Sequence, residues 1–143
     1  MKYTVEIDID LPREKVIELF DNPDNMKHWQ EGFISLEHLT GTPGEKDATS
    51  KLLYKMGKRE IEMIETIIKR DLPNEFSATY EAKGVWNLNK NYFTGLNENT
   101  TNWKTDVEFK FKGFMKIISF LMPGSFKKQS LKFMKDFKAF AEQ

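Results

Sequence analysis

The chain contains no cysteine, and that absence removes disulfides, thiolate metal ligands and cysteine nucleophiles together. Histidine is almost as scarce. His28 and His38 are the only two, too few and too far apart for a zinc set, so no metal is expected. Long apolar runs are missing too: nothing approaches the ~20 residues that a membrane span requires. The opening Met1–Glu6 is charged where a secretion signal would be apolar, so a cytoplasmic protein is the expectation. There is no Walker-type loop, no dinucleotide glycine fingerprint, no His-Glu-x-x-His and no Gly-x-Ser-x-Gly, so no cofactor is expected either. An excess of charge is also lacking, with 22 basic residues against 22 acidic. A neutral chain whose C-terminal lysines include no arginine excludes nucleic acid as a partner. Those lysines are unevenly spread: residues 109–143 carry eight Lys against Asp136 and Glu142, leaving +6 there and −6 elsewhere. They read either as the solvated face of a helix or as a surface for anionic lipid or an acidic partner.

Aromatic residues are abundant. Three Trp and 12 Phe in 143 residues supply a core without staples, since each buries roughly 150–250 Å². The length fits one domain spanning 1–143. Tyr3, Val5, Ile7 and Ile9 alternate with Thr4, Glu6, Asp8 and Asp10, which is the period of a strand covering a core on one side. Pro12 then opens a short helix with Val16, Ile17, Leu19 and Phe20 as its stripe, and a second brief helical turn delivers Trp29. Six strands follow, over 33–40, 48–56, 58–70, 75–83, 86–96 and 101–112, punctuated by Gly41-Thr42-Pro43-Gly44, Gly57-Lys58, Leu72-Pro73-Asn74, Lys83-Gly84 and Asn97-Glu98-Asn99. Turns this short imply an antiparallel meander. The period then changes to helical, with Phe114, Ile117, Ile118 and Leu121 before Pro123-Gly124. A long helix follows over 126–141, faced by Phe126, Phe133, Met134, Phe137 and Phe140.

That order is α+β: one strand, two short helices, six strands and a long terminal helix, β-αα-β6-α. It resembles the START-like (SRPBCC) superfamily of polyketide cyclases, lipid-transfer domains and Bet v 1-like plant allergens. The likeness is carried by Pro12-x-x-x-Val16-x-x-x-Phe20, Asp21-Asn22-Pro23, Trp29, the Gly41–Gly44 loop, Thr101-x-Trp103 and the Phe/Lys-rich final helix. The resemblance implies a helix-grip fold, in which a seven-stranded curved antiparallel sheet wraps the C-terminal helix around a hydrophobic pocket. The loop lacks the more glycine-rich form, which argues against a phosphate-binding role.

Within such a pocket, Glu65 shares strand parity with Ile61, Met63 and Ile67, so a regular strand points it inward as a candidate acid. A bulge would instead turn it outward. Lys90, between Leu88 and Tyr92, is a candidate partner for it. Tyr80, Trp86, Tyr92 and Trp103 each share parity with apolar neighbours and suit a largely apolar pocket that orients one polar end of a ligand. Met63 adds adaptable surface on one side, and Phe133 and Phe137 line the helix side. The Gly41–Asp47 loop and the segment Met122–Phe126 are the expected gates.

Three functions fit these residues. The first is binding or transport of a lipid-like or polyketide-like molecule between the sheet and the last helix, by a monomer or weak homodimer without turnover. The second is a cyclase or dehydrase using Glu65, Tyr80 or Tyr92. The third is an adaptor that meets a protein or an anionic membrane through Phe114, Ile117, Ile118, Phe120, Leu121 and nearby lysines.

Overall fold

The alternation read from the sequence is realised in one antiparallel sheet, and a computed structural model describes all of it, residues 1–143. Its strands are β1 (Lys2–Ile9), β2 (Phe33–Thr40), β3 (Thr49–Met56), β4 (Arg59–Asp71), β5 (Glu75–Ala82), β6 (Val85–Asn97) and β7 (Thr100–Phe111), in the order β1-β7-β6-β5-β4-β3-β2. The meander runs from β2 to β7, and β1 then closes on β7 with Val5 opposite Thr105 and Ile7 opposite Trp103. The long strands β4 and β6 each carry a register irregularity, at Ile67/Lys69 and Gly95/Asn97, and such bulges bend a strand. The result is the curved sheet of the helix-grip fold.

Between β1 and β2 lie α1 (Arg13–Phe20), a single 3-10 turn (Pro23–Asn25) and α2 (Met26–Trp29). Pro12 precedes α1, where a missing N–H costs nothing, and Asn22 caps the turn by accepting from the Asp24 N–H at 3.0 Å. After β7 come α3 (Phe114–Leu121) and α4 (Pro123–Ala141). Proline at the first position lets α4 begin three residues earlier than its apolar stripe suggests.

The long helix α4 lies along β1 and α2, while α1 lies over β6 and β7. Two polar anchors hold α4 to β1. The Tyr3 hydroxyl donates to the Phe126 carbonyl at 3.0 Å and pairs with Ser130 Oγ at 2.8 Å. Lys138 Nζ donates to the Asp8 carbonyl at 2.7 Å. The β4 bulge turns Arg70 toward the helices, where its guanidinium makes a forked pair with Asp21 at 2.8 and 2.6 Å. Under α1, α2 and α4 the core is closed by Val5, Ile9, Val16, Trp29, Phe93, Trp103, Met134, Phe137 and Ala141.

The gates expected from the sequence do not face each other. Connections of a meander alternate between its two ends, which puts the Gly41–Asp47 loop at the end shared with the β4–β5 and β6–β7 turns. Met122–Phe126 follows β7 at the opposite end, beside the β3–β4 and β5–β6 turns.

Candidate functional site

Cross-strand register decides which side chains share the concave face. Trp103 faces the helices, and its partner on β6 is Phe93, so Val85, Asn87, Asn89 and Asn91 share that face with it. Continuing across the sheet, Asn87 is opposite Tyr80, Tyr80 is opposite Glu65, Glu65 is opposite Ser50 and Ser50 is opposite His38. One transverse row of polar side chains therefore crosses the concave face from β6 to β2. Beside it lie Asn89 and Ala78, and Tyr54 stands four residues beyond Ser50 on the same face of β3. The β4 bulge comes after Glu65, so the carboxyl stays inward and Ile68 is the residue left exposed.

The same register overturns two expected facings, those of Trp86 and Tyr92, and decides that of Lys90, which the sequence leaves open. Trp86, Tyr92 and Lys90 occupy even positions of β6 and stand on the convex face. There Lys110 Nζ sits 4.8 Å from the Trp86 ring centroid, Tyr92 is opposite Lys104, and Lys90 is opposite Asp106 rather than near Glu65. On β5 and β7 the apolar parity is the inner one, but on β6 the aromatic parity is the outer one.

Trp103 and Phe137 are inward but enclosed. Phe137 makes edge-to-face contacts with Trp29 at 5.1 Å and Trp103 at 5.2 Å, and Phe20 packs on both Phe93 and Trp103. Phe133 is half-buried at the margin of this cluster, 6.4 Å from Trp29. Here the space between sheet and helix is filled by aromatic rings. Farther along the face, Met63, Glu65, Tyr80 and Asn89 are surrounded by protein yet keep part of their surface accessible, and α4 lies over β1 rather than over these strands. Deep side chains that keep accessible surface make this stretch of the concave face, hereafter the crevice, the candidate site.

The row is chemically uneven. Burial raises the proton affinity of the Glu65 carboxyl, and the neighbouring Tyr80 hydroxyl offsets this only in part. Burial also lifts Tyr80 well above an ordinary phenol, with the Glu65 charge adding to it, and Tyr54 is raised for the same two reasons in the same order. Both phenols thus remain donors at neutral pH. The Tyr54 hydroxyl is held by a short hydrogen bond to Gln30 Oε1. No cation contributes to the Glu65 shift, so an ionised Glu65 has no compensating charge.

The asparagines of β6 grade from committed to free. Asn91 donates to the Phe76 carbonyl and accepts from Trp103 Nε1 at 3.0 Å and Thr105 Oγ1 at 2.7 Å. Asn87 donates to the Glu108 carbonyl at 3.0 Å, leaving its own oxygen available. Asn89 Oδ1 is buried and finds no partner, as does Trp29 Nε1, and an unpaired buried polar atom costs about 1–3 kcal/mol. Sequence reasoning missed this triad, Tyr54 and Ser50. The available signal was Asn87-x-Asn89-x-Asn91 itself, because asparagine is depleted in strands and three at period two mark a polar face. His28, a helix-end residue as read, stacks on Phe140 at 5.2 Å, and His38 Nε2 lies 2.7 Å from the Gly41 carbonyl oxygen.

No protein-family profile and no curated sequence matches the chain. Solved structures do. A conserved protein from Geobacillus kaustophilus superposes with a TM-score of 0.83 at 17% identity, covering 99% of this chain and 95% of that one. Ara h 8.0201 gives 0.75 at 14% identity over 99% and 97% of the two chains. The Zhui aromatase/cyclase from Streptomyces sp. R1128 gives 0.80 at 10% identity over 99% and 93%. Likeness over the whole length at such low identity establishes a shared fold, so the chain has the helix-grip architecture of these proteins.

Proposed function

We propose that the crevice binds an amphipathic small molecule, with its apolar body along Ile61, Met63 and Phe109 and its polar end on Glu65, Tyr80, Asn87 and Asn89. The observation that carries this is the transverse row, in which a carboxyl and a phenol lie deep in the fold and still reach solvent. A core position holding Glu65 without a cation is unfavourable unless the site uses the group. Asn89 Oδ1, unpaired within the protein, supplies an acceptor for a ligand hydroxyl or N–H. Mostly apolar walls with a few convergent polar groups are the common make-up of small-molecule sites.

Native mass spectrometry of the purified protein, set against its denatured mass, tests the reading directly. An extra mass that is lost on denaturation, or a thermal shift with fatty acids or aromatic polyketides, is the expected result. Met63→Trp, which fills the crevice, should abolish it. Absence of both signals from the wild-type protein would sink the proposal.

A second reading rests on the Glu65 carboxyl. A carboxyl that burial inclines to keep its proton can pass that proton to a substrate oxygen and regain one from solvent, with Tyr80 orienting it. One protein of the same fold is an aromatase/cyclase. Turnover that disappears in Glu65→Gln while ligand binding persists would establish the enzyme, and unchanged turnover would dismiss it.

A further inference from the structure

Seven of the eleven large apolar residues that the fold leaves exposed gather at one end of the sheet: Met1, Met56, Phe114, Ile117, Phe120, Leu121 and Met122. Five of these belong to α3 and the residue after it. The helix is attached by Met115, whose side chain packs so closely on the β5–β6 turn that a Cβ at Gly84 would meet its Cγ at 3.2 Å. Gly84 also has φ of +75°, which favours glycine there independently. With Met115 and Ile118 turned inward, the stripe Phe114, Ile117, Phe120 and Leu121 faces solvent, and Phe120 is 84% exposed. A surface helix ordinarily points its apolar stripe at the core. This one points it outward.

The surroundings of α3 are cationic. Lys110, Lys112, Lys116, Lys127 and Lys128 are exposed and take part in no ion pair, and residues 109–135 contain no carboxylate. Farther along α4, Lys132 pairs with Asp136 and Glu31 and Lys138 with Glu142 and Asp10, while Lys135 is exposed and unpaired. Lys116 and the apolar Ile117 and Phe120 line a single open groove of about 490 Å³. A second copy of the chain would bring the same unpaired lysines against these, and like charges oppose such a contact. An anionic surface with an apolar interior complements both features at once.

We propose that α3 is a membrane-docking element. Phe114, Ile117, Phe120 and Leu121 insert at the acyl boundary of an anionic phospholipid bilayer, and the five lysines rest on its headgroups. No helix of the protein is long and apolar enough to cross a membrane, so the contact is interfacial.

Co-sedimentation of the full chain with phosphatidylcholine vesicles, with and without phosphatidylserine, provides the test. Binding to the phosphatidylserine vesicles alone, weakening as salt rises, is expected. Phe120→Asp should reduce it at least tenfold with an unchanged melting temperature, because the side chain is exposed. Lys127→Glu should reduce it about thirtyfold, because it replaces one lysine's attraction to the anionic surface with a repulsion of similar size, and Lys27→Glu on α2 should leave it unchanged. No binding to phosphatidylserine vesicles would overturn the proposal. An equal loss in Lys27→Glu would overturn it by showing diffuse charge attraction. Concentration-dependent dimers abolished by Phe120→Asp, without vesicle binding, would reassign the stripe to self-association and overturn it as well.

Discussion

Trp103 on β7 and Tyr80 on β5 point into the same side of the same sheet, yet one is sealed and the other reaches solvent. The difference lies in what covers them. Over Trp103 stand Phe20 of α1, Trp29 of α2 and Phe137 of α4, and the polar atoms beside it on the sheet are committed, with Trp103 Nε1 and Thr105 Oγ1 both going to Asn91 Oδ1, although Trp29 Nε1 above it has no partner. Around Tyr80 the helices touch β4 and β5 at Asp21–Arg70 and Phe20–Phe76, and the face carries the Glu65 carboxyl, the Tyr80 phenol and, on the adjoining β6, Asn89 Oδ1 without a partner. A helix-grip sheet thus separates stability from recognition along its own width. The half that grips the helix is packed to exclude solvent, and the half beyond it keeps groups whose protonation and hydrogen bonding are unfinished.

The comparison is broken most forcefully at the packed half. Phe137 is fully buried and touches Phe20, Trp29 and Trp103, so Phe137→Ala leaves a cavity among rings that cannot collapse. The expected loss is about 3–5 kcal/mol, read from the midpoint of urea denaturation. A loss below 1 kcal/mol would mean that the aromatic end is not packed as described.

A smaller and sharper test pits two enlargements against each other. Ala78 is fully buried beside the row, and Ala78→Leu overpacks it at a cost of about 1–3 kcal/mol. Met63→Trp adds more volume at a position open to the crevice, and its urea midpoint should stay within about 0.5 kcal/mol of wild type. Equal losses would mean that the crevice is as full as the core.

How legible was this arrangement beforehand? Strand boundaries were readable to within about a residue or two because turn chemistry is local: Gly57-Lys58 and Lys83-Gly84 can hardly do anything else. The facing of β1, β5 and β7 was readable because their inner sides are mainly apolar, whereas that of Glu65 on β4 hung on where the bulge falls, which is after it, between Ile67 and Lys69. On β6 the logic inverted. Its inner positions Asn87, Asn89 and Asn91 are polar, while Trp86 and Tyr92 lie outside among Lys110 and Lys104. Polarity is a proxy for facing only where the interior is apolar, and it fails on the strand that floors a polar crevice. Tyr54 was hidden for another reason: its partner Gln30 follows α2, and no sequence pattern brings the two together. Coverage by α4 was equally invisible, since it depends on where Tyr3 and Lys138 fix the helix.

The finest test of the contrast is the pH dependence of stability at Glu65. Burial raises its carboxyl above the value it has in the unfolded chain, and the neighbouring Tyr80 hydroxyl only tempers this. The folded state therefore binds the proton more tightly than the unfolded state does. Stability associated with Glu65 is complete below the unfolded value, near 4.5, and is lost as pH rises through the folded one. Glu65→Gln keeps the size and neutrality of the protonated acid, but it cannot ionise. Its melting temperature relative to wild type should accordingly climb between pH 4.5 and neutrality, by a few degrees at most, and converge with wild type at the acid end. A variant that instead loses stability as pH rises would mean that Glu65 is held as a favourable carboxylate. The crevice would then have to contain a cationic partner for it, and its polarity would be a structural device like that of Asn91 rather than an unfinished site.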